Sequence, residues 1–200
     1  MTVAIERSTS VQSAAVEEGG KIVAATVFEG LDARSGAWAV RLAAFLDGRR
    51  PDRFLVGQGP GSFAGIRAAL AYAQGYAIGG GATVTGLSSA AALARADRPT
   101  AVVGDARRGL FWIALFDGFR PVGEIFQVTA DDLTRRIPLS VEVVTPDAVR
   151  IDALLRETFD TRYLGGAVPT AEGLLRAALA QPEAVVAQPL PIYLNPAVRE

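Results

Sequence analysis

Apolar residues recur at two different spacings along this chain, and the changes from one spacing to the other mark out its elements. Residues 3–6, 11–17 and 21–28 are short runs rich in Val, Ile and Ala. They read as three strands, the last two joined by a turn at Gly19-Gly20. Between 33 and 47 the spacing lengthens. Trp38, Leu42, Phe45 and Leu46 fall on one stripe while Arg34 and Arg41 lie elsewhere, which predicts an amphipathic helix. A strand at 53–56, a helix at 63–78, a strand at 83–85 and a helix at 88–96 follow, so the first half reads βββαβαβα.

After Arg98-Pro99 the same order begins again. Residues 101–104 and 110–116 read as strands, and the second is apolar on both faces, as a central strand is. Asp117-Gly118 turns the chain. A strand at 123–128, a helix at 130–136, a strand at 141–144, a short helix at 152–156, a strand near Tyr163 and a helix at 171–180 complete the half. Pro182, Pro189, Pro191 and Pro196 predict an extended tail. Three strands followed by alternating helices and strands, given twice, predict two duplicated α/β lobes, residues 1–97 and 98–200. This doubled order resembles the actin, sugar-kinase and heat-shock-chaperone (ASKHA) superfamily, in which two ribonuclease-H-like lobes face a cleft. By that analogy the first hairpins would present Glu6-Arg7-Ser8-Thr9 and Asp105-Ala106-Arg107-Arg108 to the cleft.

The junction at residues 54–67 is the most specific local signal. An apolar strand runs through Gly57-Gln58-Gly59-Pro60-Gly61-Ser62 straight into the next helix. Pro60 holds Gly59 extended, Gly61 permits a close backbone approach, and Ser62 is placed to cap the first turn. Inside the helix, Gly65 implies a site where a side chain would collide, because glycine there costs roughly 0.5–1 kcal/mol relative to alanine. Ala64, Ala68, Ala71, Gly75 and Gly79 form a ridge of small residues, the kind of surface on which another helix packs closely. Residues 68–94 carry no charge. Their glycines, serines and threonines make them a helix, a strand and a second helix rather than a membrane span.

Composition removes many chemistries. Half of the 200 residues are apolar, enough for a real core and too many for a disordered chain. A net charge of −1 and a pI near 5.6 supply no broad field for nucleic acid. The pairs Arg49-Arg50, Arg107-Arg108 and Arg135-Arg136 have no interleaved aromatics and read as solvated turns. There is no cysteine and no histidine, which excludes disulfides, thiolate catalysis, the Ser-His-Asp triad and the HExxH zinc site. The absence of cysteine fits a cytoplasmic protein. Lys21, the one lysine, lies at a hairpin tip, so no P-loop lysine is available.

The glycine-rich turn is therefore neither a dinucleotide fingerprint, since Ser62 replaces the third glycine, nor a Walker A loop or nucleophile elbow. An anion meeting the amides of Ser62 and Phe63 is the sharper reading, and a tight helix start the plainer one. Glu6 and Asp105 end equivalent strands, where a kinase or ATPase of this fold holds magnesium and orients water. The alternative is that each carboxylate closes a local turn or pairs with an arginine.

Gly59-Pro-Gly-Ser-Phe-Ala-Gly-Ile-Arg67 resembles the G-P-G-S-F-T-G-[LV]-R signature of the TsaB family, also called YeaZ, with Ala64 in place of threonine. Asp105-Ala106-Arg107 is similar to that family's D-A-R segment, residues 3–9 to its opening strand and turn, and residues 191–196 to its P-x-Y-L-R segment. The resemblance implies a non-catalytic scaffold subunit of the bacterial machinery that forms N6-threonylcarbamoyladenosine at position 37 of tRNA. It implies no cofactor on this chain alone, with ATP and magnesium used by the complex. The implied partners are a TsaD-like catalytic subunit and a TsaE-like ATPase, with a homodimer in isolation and tRNA reached only through the complex. The M22 peptidase label sometimes given to such chains is disfavoured, since no histidine is present to hold a metal. The resemblance places partner binding on Trp38, Arg41, Phe45, Ala64, Ala68, Ala71, Tyr72 and Gly75. The motif loop is Gly59, Pro60, Gly61, Ser62, Phe63, Gly65 and Arg67, and the candidate cleft or nucleotide residues are Glu6, Ser8, Asp105 and Arg107. Glu6-Arg7 replaces the family's aspartate-threonine, Asn195 its tail arginine and Leu110-Phe-Trp112 its glutamate-valine-tyrosine. Two other readings follow from the same features: a small ATP- and magnesium-dependent phosphotransferase or ATPase using Glu6 and Asp105, or a homodimeric structural protein.

Overall fold

Strands that are apolar on both faces must be covered on both, and in the computed structural model, which describes residues 1–30 and 36–194, each of the two sheets gathers its own core. The first unit comprises Met1–Ala92 with Pro169–Ile192. Its strands are β1 (Thr2–Glu6), β2 (Gln12–Glu18), β3 (Lys21–Phe28), β4 (Arg53–Gly57) and β5 (Thr83–Leu87), ordered β3-β2-β1-β4-β5. β1 pairs antiparallel with β2 and parallel with β4, so Val3 stands between Val16 and Phe54. Helices α1 (Ala37–Leu46) and α2 (Phe63–Gly80) supply Trp38, Leu42, Ile66, Ala69 and Ala73 to the core built on Val3, Ile5, Val16 and Phe54. The helix predicted from residue 33 is described from Ala37; residues 31–35 lie outside the described residues.

The second unit comprises Leu93–Val168 with the tail from Tyr193. It holds β6 (Thr100–Arg107), β7 (Leu110–Asp117), β8 (Arg120–Pro121), β9 (Phe126–Thr129), β10 (Glu142–Thr145) and β11 (Tyr163–Gly166), ordered β11-β10-β6-β7-β8, with β9 also on β7. β7 is interior, as its doubly apolar pattern predicts. Helices α3 (Leu133–Arg136) and α4 (Ala148–Phe159) join this unit, whose core includes Val103, Ile113, Leu133, Ile137 and Leu155.

The last helix, α5 (Ala171–Ala180), belongs to the first unit rather than to the lobe that a boundary at residue 98 assigns it. It packs on β1 and β2, and the Ala171 amide donates to Ser13 Oγ at 2.9 Å. A Cβ at Gly173 would stand 2.7 Å from the Ala92 carbonyl oxygen, so the glycine permits this seating. Three predicted helices differ in form. The segment after β5 is a 3-10 turn, Ser89–Leu93, tied down by the serines that precede its alanines. The helix expected at 130–136 divides into a 3-10 turn and the single turn of α3, stopped before Pro138. The short helix expected at 152–156 extends to Ala148–Phe159, because Ile151, Leu155 and Phe159 continue the buried stripe. Among the described residues no helix is long and apolar enough to cross a membrane.

Leu155 is fully buried in the second core. Leu155→Ala is expected to lower stability by about 2–5 kcal/mol, measured by chemical denaturation; a loss under about 1 kcal/mol would contradict this packing.

Candidate functional site

The glycine-rich turn is a backbone junction held by hydrogen bonds at Gln58, Gly59 and Ser62. Ser62 caps α2, its Oγ accepting the Gly65 amide at 3.3 Å, while its own N–H donates to the Ser8 carbonyl at 2.6 Å. A Cβ on Gly61 would lie 2.1 Å from the Ser8 carbonyl oxygen, and one on Gly65 would lie 2.1 Å from that of Arg7. The two glycines thus let the first turn of α2 rest on the backbone after β1, the collision that Gly65 implied. On the other side, Ser89 Oγ accepts the Gly59 amide at 2.9 Å, and the Ser89 amide and Ser88 Oγ both donate to the Gly59 carbonyl. The Gly59-Pro60 peptide is cis. With the Ser62 amide engaged by Ser8, the junction reads as a tight helix start rather than an anion cradle.

Gln58 extends this junction to the tail. Its Nε2 donates to the Leu190 carbonyl at 2.7 Å, and its own carbonyl accepts the Ile192 amide at 2.9 Å. Val186 bridges Gly86 on β5 through both backbone bonds. Sequence reasoning passed over Gln58, Ser88 and Ser89; the available signal was a buried-strand flank carrying amide and hydroxyl side chains without a charge.

Glu6 and Ser8, expected to face a cleft, are buried. Glu6 is fully enclosed: Oε1 accepts the Ser8 amide at 2.6 Å, and Oε2 occupies the space that a side chain at Gly57 would need, beside Ser89 Oγ. Burial pushes the Glu6 carboxyl above the usual carboxylate range, with the polar groups of Ser8 and Ser89 offsetting part of the rise. Arg7 is equally enclosed. Its guanidinium lies 4.0 Å from the Trp38 ring centroid, its Nε donates to Gln12 Oε1 at 2.8 Å, and burial pulls its pKa down to about 10.

In the second unit, Asp105 is held by arginines, the plainer of the two readings of that carboxylate. Its Oδ2 lies 2.9 Å from Arg150 Nε and 3.4 Å from Arg107 Nη1, and Oδ1 accepts the Arg107 amide. The Asp105 amide in turn donates to Asp147 Oδ2. Arg107, Arg108 and Gly109 all take positive φ at the β6–β7 turn, leaving both guanidinium side chains exposed.

The helix residues assigned to partner binding differ in exposure. Ala64, Ala71 and Gly75 are exposed, Ala68, Tyr72 and Phe45 are half-buried, and Arg41 is exposed. A Cβ at Gly75 or Gly79 would meet no atom within 4 Å. Trp38 is instead a core residue, 4% exposed, serving as the platform for Arg7 and lying 5.2 Å from the Tyr72 ring. Its indole supplies the apolar contact that an enclosed guanidinium needs. Arg67 stacks over the exposed Phe63 at 4.9 Å.

Gly65→Ala is expected to destabilise the first unit by about 1–3 kcal/mol or more, because backbone rather than a flexible side chain blocks the methyl group. Thermal and chemical unfolding measure this, and a neutral result would contradict the close approach. Glu6 also predicts a pH dependence. Its raised folded-state pKa means that its contribution is full below the ordinary carboxylate range and declines as pH rises through the raised value. Glu6→Gln is expected to remove that decline, so the stability difference between variant and parent grows in the variant's favour from acidic to neutral pH. A difference that is flat across that range would overturn the assignment.

Comparison with known proteins agrees with this architecture. A family model described as TsaD, tRNA N6-adenosine threonylcarbamoyltransferase, matches residues 43–189. Uncharacterized proteins of Mycobacterium bovis and Mycobacterium tuberculosis are 40% identical over 82 residues, a match that spans 40% of this chain and 39% of theirs. YeaZ from Pseudomonas aeruginosa superposes with a TM-score of 0.76 at 21% identity, covering 96% of this chain and 99% of that one. A Pseudomonas aeruginosa protein described as similar to peptidase YeaZ gives a TM-score of 0.76 at 23% identity, with 97% and 99% covered. With the fold of the YeaZ proteins and a family match over most of its length, the chain belongs to the TsaD family, that of tRNA N6-adenosine threonylcarbamoyltransferase.

Proposed function

We propose that this chain is a non-catalytic scaffold subunit in the formation of N6-threonylcarbamoyladenosine at position 37 of tRNA, and that it activates a larger TsaD-like catalytic partner. The observation that carries the reading is the outer surface of α2, where Ala64, Ala71, Gly75 and Ile78 are exposed at helical spacing, with Val40 exposed on α1. Small residues at helical spacing let a partner's helix approach closely, and a bundle of this kind buries on the order of 1,200–2,000 Å². Dispersion and apolar burial supply the association energy, so no reactive group is asked of this chain. A TsaE-like ATPase joins that pair, ATP and magnesium serve the complex, and tRNA is met through it in the cytoplasm.

The states of Glu6 and Asp105 favour this reading over a phosphotransferase. A metal ligand or water-orienting base must reach solvent and substrate, whereas Glu6 is enclosed and Asp105 is engaged by Arg150 and Arg107. Titrating the isolated chain with ATP and magnesium in a calorimeter is therefore expected to give no binding heat; magnesium-dependent binding would favour the phosphotransferase instead.

Ala71→Glu places a charge on the exposed ridge without touching the core. Its unfolding free energy is expected to stay within about 0.5 kcal/mol of the parent, while co-elution with the TsaD-type protein of the same genome is lost. Retained co-elution would move the docking surface elsewhere.

A further inference from the structure

The segment after α5 returns to the first sheet and is held there mainly through backbone. On the outer edge of β5, the Gly86 amide donates to the Val186 carbonyl and the Val186 amide to the Gly86 carbonyl, both at 2.9 Å. Gln58, one residue past β4, grips the same segment twice. Its main-chain carbonyl accepts the Ile192 amide, and its side-chain amide donates to the Leu190 carbonyl. Between these points Pro189 is buried against Gly86, where a Cβ would stand 2.5 Å from Pro189 Cβ and 2.6 Å from Gln58 Cδ. Glycine at 86 thus lets a proline ring and a glutamine side chain share the edge of the strand. Apolar burial adds little, since Val186 is 42% and Leu190 72% exposed. A segment held by these four hydrogen bonds and one proline opens more readily than the sheet beneath it, while α5 keeps its own packing on β1 and β2.

The two residues that hold the segment lead to one place. From Gln58 the chain passes directly to Gly59. From Gly86 it passes through Leu87 to Ser88 and Ser89, which bind the Gly59 amide and carbonyl. Gly59 stands three residues before Ser62, the cap of α2, whose amide is fixed on Ser8. The seated segment therefore steadies both supports of the loop that aims α2. A plain cover for an edge strand has only to occupy the open groups of β5, and it has no use for a glutamine that holds it from the loop. Resting on the reading of α2 as the docking surface, we propose that residues 186–192 are a strap whose seating sets the start of α2, with Gln58 as the positioning residue. The seated strap and an occupied docking surface then favour each other. Such coupling is reciprocal: the factor by which a seated strap tightens partner binding is the factor by which the bound partner suppresses opening of the strap.

Residue-resolved hydrogen exchange on the full chain tests this. Pro189→Gly and Gly86→Ala loosen the seat from its two sides, and faster exchange of the Val186 and Ile192 amides reports the release. Both variants are expected to speed exchange of the Gly59 and Ser62 amides about tenfold or more, with the Val3 and Val16 amides of the sheet unchanged. Parent-like rates at Gly59 and Ser62 after release would reduce the strap to an edge cover and overturn the proposal. A second measurement needs no variant fold. Adding the TsaD-type protein of the same genome to the parent is expected to slow Val186 and Ile192 exchange on the order of tenfold, matching the loss of partner affinity in Pro189→Gly. No slowing, or slowing with no loss of affinity in that variant, overturns the coupling. Ala71→Glu keeps the two levels apart. If it binds the partner as the parent does, docking on α2 falls and the coupling to the partner falls with it, while the strap's hold on Gly59 and Ser62 is decided by the exchange rates of the free chain.

Discussion

Everything in the first unit depends on how closely the first turn of α2 lies against the backbone after β1. Side chains at Gly61 or Gly65 would put a carbon 2.1 Å from the carbonyls of Ser8 and Arg7. Without side chains there, the Ser62 amide reaches Ser8 and the helix is fixed in direction from its first residue. Gly59 then hangs from Ser88 and Ser89, and Gln58 binds the returning tail. One short segment thus ties together β1, β4, the turn after β5 and the tail. The cost of several glycines in a folded segment is entropic, and the many backbone bonds made there offset it.

That same approach encloses two ionisable side chains on opposite sides of one strand end. Glu6 turns toward Gly57 and Ser89, Arg7 toward Trp38 and Gln12. They do not neutralise each other. Burial raises the Glu6 carboxyl while hydrogen bonds from Ser8 and Ser89 offset part of the rise, and the guanidinium lies against an indole face and a side-chain amide. The strand end that resembles a catalytic edge is therefore packed as core. Burial as well as residue type decides which carboxylates reach solvent, and Glu6 does not.

The exposed surface of α1 and α2 stands in contrast. Its inner stripes pack tightly on the sheet, yet the outer stripe offers small residues, a few large apolar groups and two arginines. Small side chains add little to the stability of the single chain, so their placement makes physical sense as room left for another helix. The proposed assembly with a larger TsaD-like partner would fill that room, while the conspicuous motif beneath it shapes the start of a helix.

Much of this was legible from residue order. The three-strand openings, the central character of β7, the cap at Ser62, the collision at Gly65 and the exposed ridge of α2 all follow from spacing and from what glycine, proline and serine permit locally. The tertiary structure alone decided three other matters. It turned Trp38 inward as the platform of Arg7, although its helical position alone suits a docking face as well. It enclosed Glu6 and tied Asp105 to arginines, although both end strands where a reactive carboxylate would stand. It also returned α5 and the segment through Ile192 to the first unit. Local pattern reports which side of an element is apolar, but the neighbour that covers it comes from distant parts of the chain, and only the folded packing brings those parts together.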